Sequence, residues 1–172
     1  LALAPLIKEF NRYWFEEPID GESTRMLASI RKKTGLKIVT GEKQFGLHHF
    51  IETLAADAAD ILNPDIAGVG GILDMIKISE ISAKNNVMIS PHCWNSMSIA
   101  ASAMLHFCAG NSNTEMAEIY PEYISNGLKY SDTNFVIKNG HAELKDRPGL
   151  GVNIDIKSLM QLSADYKKTT LR

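Results

Sequence analysis

The chain has 172 residues, 45% hydrophobic and 22% charged, with 18 Lys and Arg against 20 Asp and Glu for a net charge of −2. That length suits one domain of roughly 100–200 residues, and the composition excludes a disordered or fibrous chain. No basic stripe is present to neutralise a phosphate backbone, no apolar run approaches the ~18 residues of a membrane helix, and Cys93 and Cys108 are too few for a disulfide framework. A cytoplasmic protein is expected, with no nucleic-acid or membrane partner.

The first residues, LALAPLIKEFNRYW, show neither an initiator Met nor the basic-then-apolar order of a signal peptide. Leu1, Leu3, Leu6, Ile7 and Phe10 form a helical apolar stripe already under way at the first residue, so further sequence is expected upstream. YWFEEP at 13–18 then reads as a strand, followed by a helix over 22–34 that opens acidic and closes with basic residues and Gly35. LKIVTGE at 36–42, ADILNPD at 59–65, VMISPH at 87–92 and EMAEI at 115–119 repeat the strand reading, with starts 23 to 28 residues apart. Helices are expected between them, from about 46 to 59, 72 to 85 and 97 to 110, the last apolar nearly all round and therefore deeply packed. The rhythm then breaks. NFVIKNGHAEL at 134–144 reads as a hairpin around Asn139-Gly140, and a short helix is expected over 155–164.

Buried strands that each lead into a helix imply an α/β fold with a parallel sheet, either open and doubly wound or closed into a barrel. GVGG at 68–71 lacks the glycine spacing and acidic partner of a dinucleotide loop. The polar residues fall at the strand ends: Glu16 and Glu17, then Glu42, Asp65, His92 and Glu118. In parallel sheets that edge is where ligands converge. Glu16 and Glu42 offer hard oxygens of the kind Mg²⁺ prefers, or are two solvated rim charges. Asp65 could hold one ring nitrogen of His92 and leave the other as a base, or the histidine could be structural. A carboxyl at Glu118, if protonated, could donate to a developing oxyanion.

WFEEP, VTGE, NPD followed by GG, SPH and MAEI, in this order, together with PGLG at 148–151, resemble the enolase superfamily, mandelate racemase subgroup, over nearly the whole chain. The resemblance implies the C-terminal portion, about five βα units, of a modified (β/α)₇β TIM-type barrel, with the first strands and an N-terminal capping domain absent. Residues 1–172 would be a partial barrel domain, and 134–172 a segment packing toward that cap. Glu16 and Glu42 become two of three carboxylate ligands of Mg²⁺, Asp65 and His92 a catalytic dyad, and Glu118 the acid that binds the substrate carboxylate. Glu17, by pleat, should point away from the metal. The third ligand and an opposite-face base would lie upstream.

The implied chemistry is abstraction of the proton α to a carboxylate through an ene-diolate. PHCWNSMSIAASAMLHF looks more like the subgroup's dehydratases than its racemase, so a sugar-acid hydro-lyase giving a 2-keto-3-deoxy acid is expected, acting as a homo-oligomer on a small carboxylate. A racemase or epimerase of a 2-hydroxy acid, a non-catalytic barrel fragment and a flavodoxin-like binding module are the alternatives. The Lys that muconate cycloisomerase-type relatives carry near Gly68 is missing from Ile66-Ala67-Gly68-Val69, which favours the dyad type. Trp94 could contact substrate. His48, His49, His106 and His141 read as structural or solvated, Cys93 as a small hydrophobe, and Lys43 as a rim or pocket charge.

Overall fold

The computed structural model describes residues 1–93 and 96–162. A short helix α1 (Ala4–Glu9) leads into β1 (Phe15–Glu16), α2 (Thr24–Thr34), β2 (Ile38–Thr40), α3 (Leu47–Ala55), β3 (Ile61–Leu62), α4 (Ile72–Lys84), β4 (Met88–Ile89) and α5 (Ser98–Gly110). The four strands pair in parallel in the order β1-β2-β3-β4, with Val39 opposite both Glu16 and Ile61, and Leu62 opposite Ile89. Because consecutive strands are neighbours and each pair is joined by a helix, every strand delivers its following residues to the same edge of the sheet.

The short apolar runs become strands because they are buried. Ile38, Val39, Thr40, Leu62 and Ile89 have no measurable exposure, and the helices cover them. Phe50 of α3, Met75 and Ile78 of α4, and Met104 and Phe107 of α5 build the main core around Leu62 and Ile89, while Leu27 of α2 packs with Ile38 and Ala58 in a smaller one. Helix α1 contributes little, since Leu3, Leu6 and Phe10 remain exposed. Among the described residues no helix is long and apolar enough to cross a membrane.

The fifth strand expected at 115–119 does not form. The chain there meets β4 only at an isolated parallel bridge, Thr114 to Ile89, fixed by Ile89 N–H to Asn113 O at 2.9 Å and Glu115 N–H to Ile89 O at 2.7 Å. Pro91 has no N–H to continue the ladder, the Ser90 hydroxyl meets Met116 O at 3.1 Å instead, and the backbones meet again only at Glu118 N–H to Pro91 O, 3.3 Å.

A helix not foreseen in the sequence, α6 (Pro121–Gly127), follows, then the hairpin β5 (Phe135–Lys138) and β6 (His141–Leu144) and the last helix α7 (Ile156–Leu162). The hairpin turns at the expected Asn139-Gly140, with φ of 52° and 76°, the double left-handed conformation that a two-residue turn requires. Residues 163 and 164, expected to extend the last helix, lie outside the described residues. Beneath the hairpin, Asp132 receives the Arg147 guanidinium at 2.6 Å, the Asn153 backbone N–H at 2.7 Å and the Asn153 side-chain amide at 3.1 Å. These donors hold its carboxyl down at about 2, the backbone N–H of Asn153 contributing most.

Candidate active site

At the carboxyl edge of the parallel strands, Glu16 ends β1, Glu42 follows β2, and the segments after β3 and β4 bring Asp65 and His92 side by side as an isolated parallel bridge. Gly41, at φ 139°, turns the chain out of β2. A side chain there would press on the Phe50 ring and the Asn63 backbone, so only glycine fits the turn that presents Glu42.

His92 Nδ1 lies 2.9 Å from Asp65 Oδ2, and both side chains are 15% exposed. A carboxylate acceptor fixes the proton on Nδ1, which leaves Nε2 as the exchanging nitrogen. Nε2 faces Glu42 Oε2 at 3.4 Å and Glu118 Oε2 at 4.0 Å. Burial alone would lower the pKa of His92, but the bond to Asp65 and the charges of Glu118 and Glu42 outweigh it and the net shift is upward. For Asp65, burial pushes upward, while the bonds from His92 and the Ala67 backbone N–H pull the carboxyl below its ordinary value. Glu118, which follows the bridged segment, accepts the Cys93 N–H at 2.8 Å and so is anchored beside the dyad.

Glu16 is shifted the other way. Partial burial and the charges of Glu118 and Glu42 raise its pKa, with His92 the main opposing influence. Such a surplus of carboxylate oxygens is the electrostatic condition that a hard divalent cation relieves. Glu16 and Glu42 therefore fit the role of cation ligands. Among the described residues no three of His, Cys, Asp and Glu converge tightly enough to hold an ion by themselves, so further oxygens would have to join them.

Glu17 lies just past the end of β1, and its carboxylate is engaged by neighbours on β2 and the loop after it. Its residue adopts φ 34°, and its carboxylate takes Lys43 Nζ at 2.8 Å and the Thr40 hydroxyl at 3.3 Å. Lys43 also approaches Glu42 Oε1 at 3.6 Å, which makes it a rim charge that ties the two acids together. A cavity of about 150 Å³ opens among Trp14, Glu16, Asn63, Ser90, His92 and Glu118. A larger one of about 450 Å³, between α4 and α5, contains none of the strand-end groups.

Trp14, Asn63 and Ser90 were not evident in the sequence as site residues. A signal existed: they stand two positions before Glu16, Asp65 and His92, and a period of two places such pairs on one face of a strand. Trp94, expected as a substrate contact, lies outside the described residues. The other histidines stand apart from the strand-end cavity; His49 Nδ1 meets Phe45 O at 2.6 Å, and His106, which lines the larger cavity, has Nε2 3.0 Å from Asn134 Nδ2. Burial pushes the Cys93 thiol up to about 11, which leaves it an inert thiol in the packing.

A family model described as Enolase C-terminal domain-like matches residues 1–158. D-galactonate dehydratase of Ralstonia pickettii is 29% identical over 169 residues, spanning 93% of this chain and 44% of that protein. Among solved structures, an enolase from environmental sequencing of the Sargasso Sea superposes with a TM-score of 0.90 at 46% identity, over 94% of this chain and 43% of the other. The 3,6-anhydro-D-galactonate cycloisomerase of Zobellia galactanivorans gives 0.84 at 30% identity, over 92% of this chain and 45% of that one. The chain thus spans less than half the length of the relatives it matches.

Proposed function

Because the chain belongs to the enolase C-terminal domain-like family, and its sheet and helices are the C-terminal part of that superfamily's barrel, we propose that it carries the proton-transfer half of a Mg²⁺-dependent sugar-acid dehydratase. The observation that carries this reading is the Asp65–His92 pair at 2.9 Å with Nε2 turned toward Glu42 and Glu118.

Mg²⁺ held by Glu16 and Glu42 would stabilise the negative charge that develops on the substrate carboxylate as its α C–H bond breaks. Glu118 holds the substrate carboxyl end beside the dyad. His92 Nε2 is the group that moves a proton. Neutral Nε2 takes the α proton as the C–H bond breaks, and the imidazolium so formed, which its acidic neighbours favour, delivers that proton to the β-hydroxyl as the C–O bond breaks, so that water leaves. The enol so formed relaxes to the 2-keto-3-deoxy acid. Asp65 keeps the ring in one tautomer and orientation throughout. Identity to D-galactonate dehydratase supports the reaction class, and the acid-sugar substrate is carried over from that relative's name.

The test is a panel of sugar acids offered with Mg²⁺ to the whole protein that carries this sequence, scored for 2-keto-3-deoxy acid and for exchange of the α proton in D₂O. Formation of the keto acid, lost in His92→Asn, is the expected result. Proton exchange or cyclisation without loss of water would assign an isomerase, the reaction type named for the Zobellia relative. Neither reaction on any acid would leave the barrel segment non-catalytic.

A further inference from the structure

Asn63 follows β3 and is only 3% exposed, and the two ends of its amide are treated differently. Nδ2 donates to Glu16 Oε1 at 2.7 Å, from a residue 47 positions away in the chain. Oδ1 is buried and has no hydrogen-bond partner among the described residues. The backbone is already secured by its N–H to Thr40 O at 3.1 Å, so the side chain is not what holds this strand end in register. An amide that served the packing would need both ends satisfied, because a buried acceptor without a donor opposes folding.

Glu16 needs what Asn63 supplies. Its charged neighbours Glu42 and Glu118 repel it, and its residue keeps a solvent-exposed part at the mouth, so an untethered carboxylate would swing toward solvent. Among the described residues no other side chain donates to it. We infer that Asn63 is the positioning residue of Glu16: its amide fixes Oε1 at the mouth and leaves Oε2 for the cation. This rests on the reading of Glu16 as a Mg²⁺ ligand. The amide's unpaired oxygen is the cost of placing a donor where the neighbouring groups are acids.

The test uses Asn63→Leu, Asn63→Ala and Glu16→Gln in the whole protein that carries this sequence, with calorimetric Mg²⁺ titration and metal-free melting as readouts. Loss of a partner that orients a metal ligand lowers metal affinity about 10- to 100-fold. Both Asn63 variants should therefore bind Mg²⁺ at least about 10-fold more weakly. Asn63→Leu should melt, without metal, no lower than the parent, because it removes the unpaired acceptor along with the donor. Asn63→Ala carries the same affinity comparison should leucine fail to pack. Unchanged Mg²⁺ affinity in a folded Asn63 variant overturns the inference. Glu16→Gln separates the two readings: if it loses Mg²⁺ while the Asn63 variants keep it, only the role of Asn63 falls, and if it binds Mg²⁺ as the parent does, the metal assignment falls and the inference with it.

Discussion

Two groups of charges lie at different ends of this chain, and the fold treats them in opposite ways. Under the β5–β6 hairpin, Asp132 is surrounded by donors, and its carboxyl is held down at about 2. At the mouth of the parallel sheet, Glu16 is surrounded by acids and its carboxyl is pushed up. The first arrangement stabilises the molecule by itself. The second withholds stability until something positive or protonated arrives, which is how a site differs electrostatically from a clip.

The contrast is broken most directly at the mouth. His92→Asn should abolish dehydration, a loss of about 10²–10⁴-fold for a positioned acid or base, while the melting temperature stays near that of the parent. Product formation and thermal melting on the same preparation check both halves. Asp65→Asn should cost about 10²-fold, and the double variant should be no worse than His92→Asn, since the pair works as one unit. Additive losses would mean the two act separately.

Glu16→Gln and Glu42→Gln sharpen the contrast from the other direction. Each should weaken Mg²⁺ binding and turnover severely, yet Glu16→Gln should raise metal-free stability, because it removes a charge that its neighbours repel. Glu17→Gln, whose carboxylate serves Lys43 and Thr40, should have the milder effect on Mg²⁺. Calorimetry and melting curves of the three variants would show whether affinity and stability move oppositely.

Asp132→Asn should do the reverse: destabilise the hairpin and leave turnover unchanged. Its carboxyl lies below the ordinary 3.8, so its contribution is complete above that pH and is lost as pH falls toward about 2. The melting difference between parent and Asp132→Asn should accordingly be constant above pH 5, shrink as pH falls toward about 2 and vanish below it. A smaller effect, about 1 kcal/mol, is expected for Gly140→Ala, which forces a Cβ into a left-handed turn position.

Four strand ends were legible in the sequence because each parallel strand must exit at one edge, so the residues after YWF, IVT, ILN and MIS were bound to meet. The resemblance to the enolase superfamily rests on those ends together with MAEI and PGLG. What escaped depended on partners far away in the chain. The period of two sets Asn63 on the same face as Asp65, but the partner it serves stands 47 positions earlier and no local pattern points to it. The fifth strand was overread because EMAEI has a strand's apolar content, while the missing N–H of Pro91 sits on the partner it should have paired with. Helix α6 carried its own signals, Pro121 at its start and Glu122 in its first turn, but seven residues are too few for an apolar stripe to stand out.

Asp65 and His92 are bridged by backbone as well as by side chain, with His92 N–H to Pro64 O at 3.2 Å. Their spacing is therefore inherited from the distance between adjacent strands, roughly 4.8 Å, rather than from any surface loop. Loops around the mouth can differ without moving the backbone that sets this spacing, provided Glu42, Glu118 and the Ala67 N–H keep their places. If the pair moves the proton as proposed, substrate recognition can change at the mouth while the backbone that spaces Asp65 and His92 stays as it is.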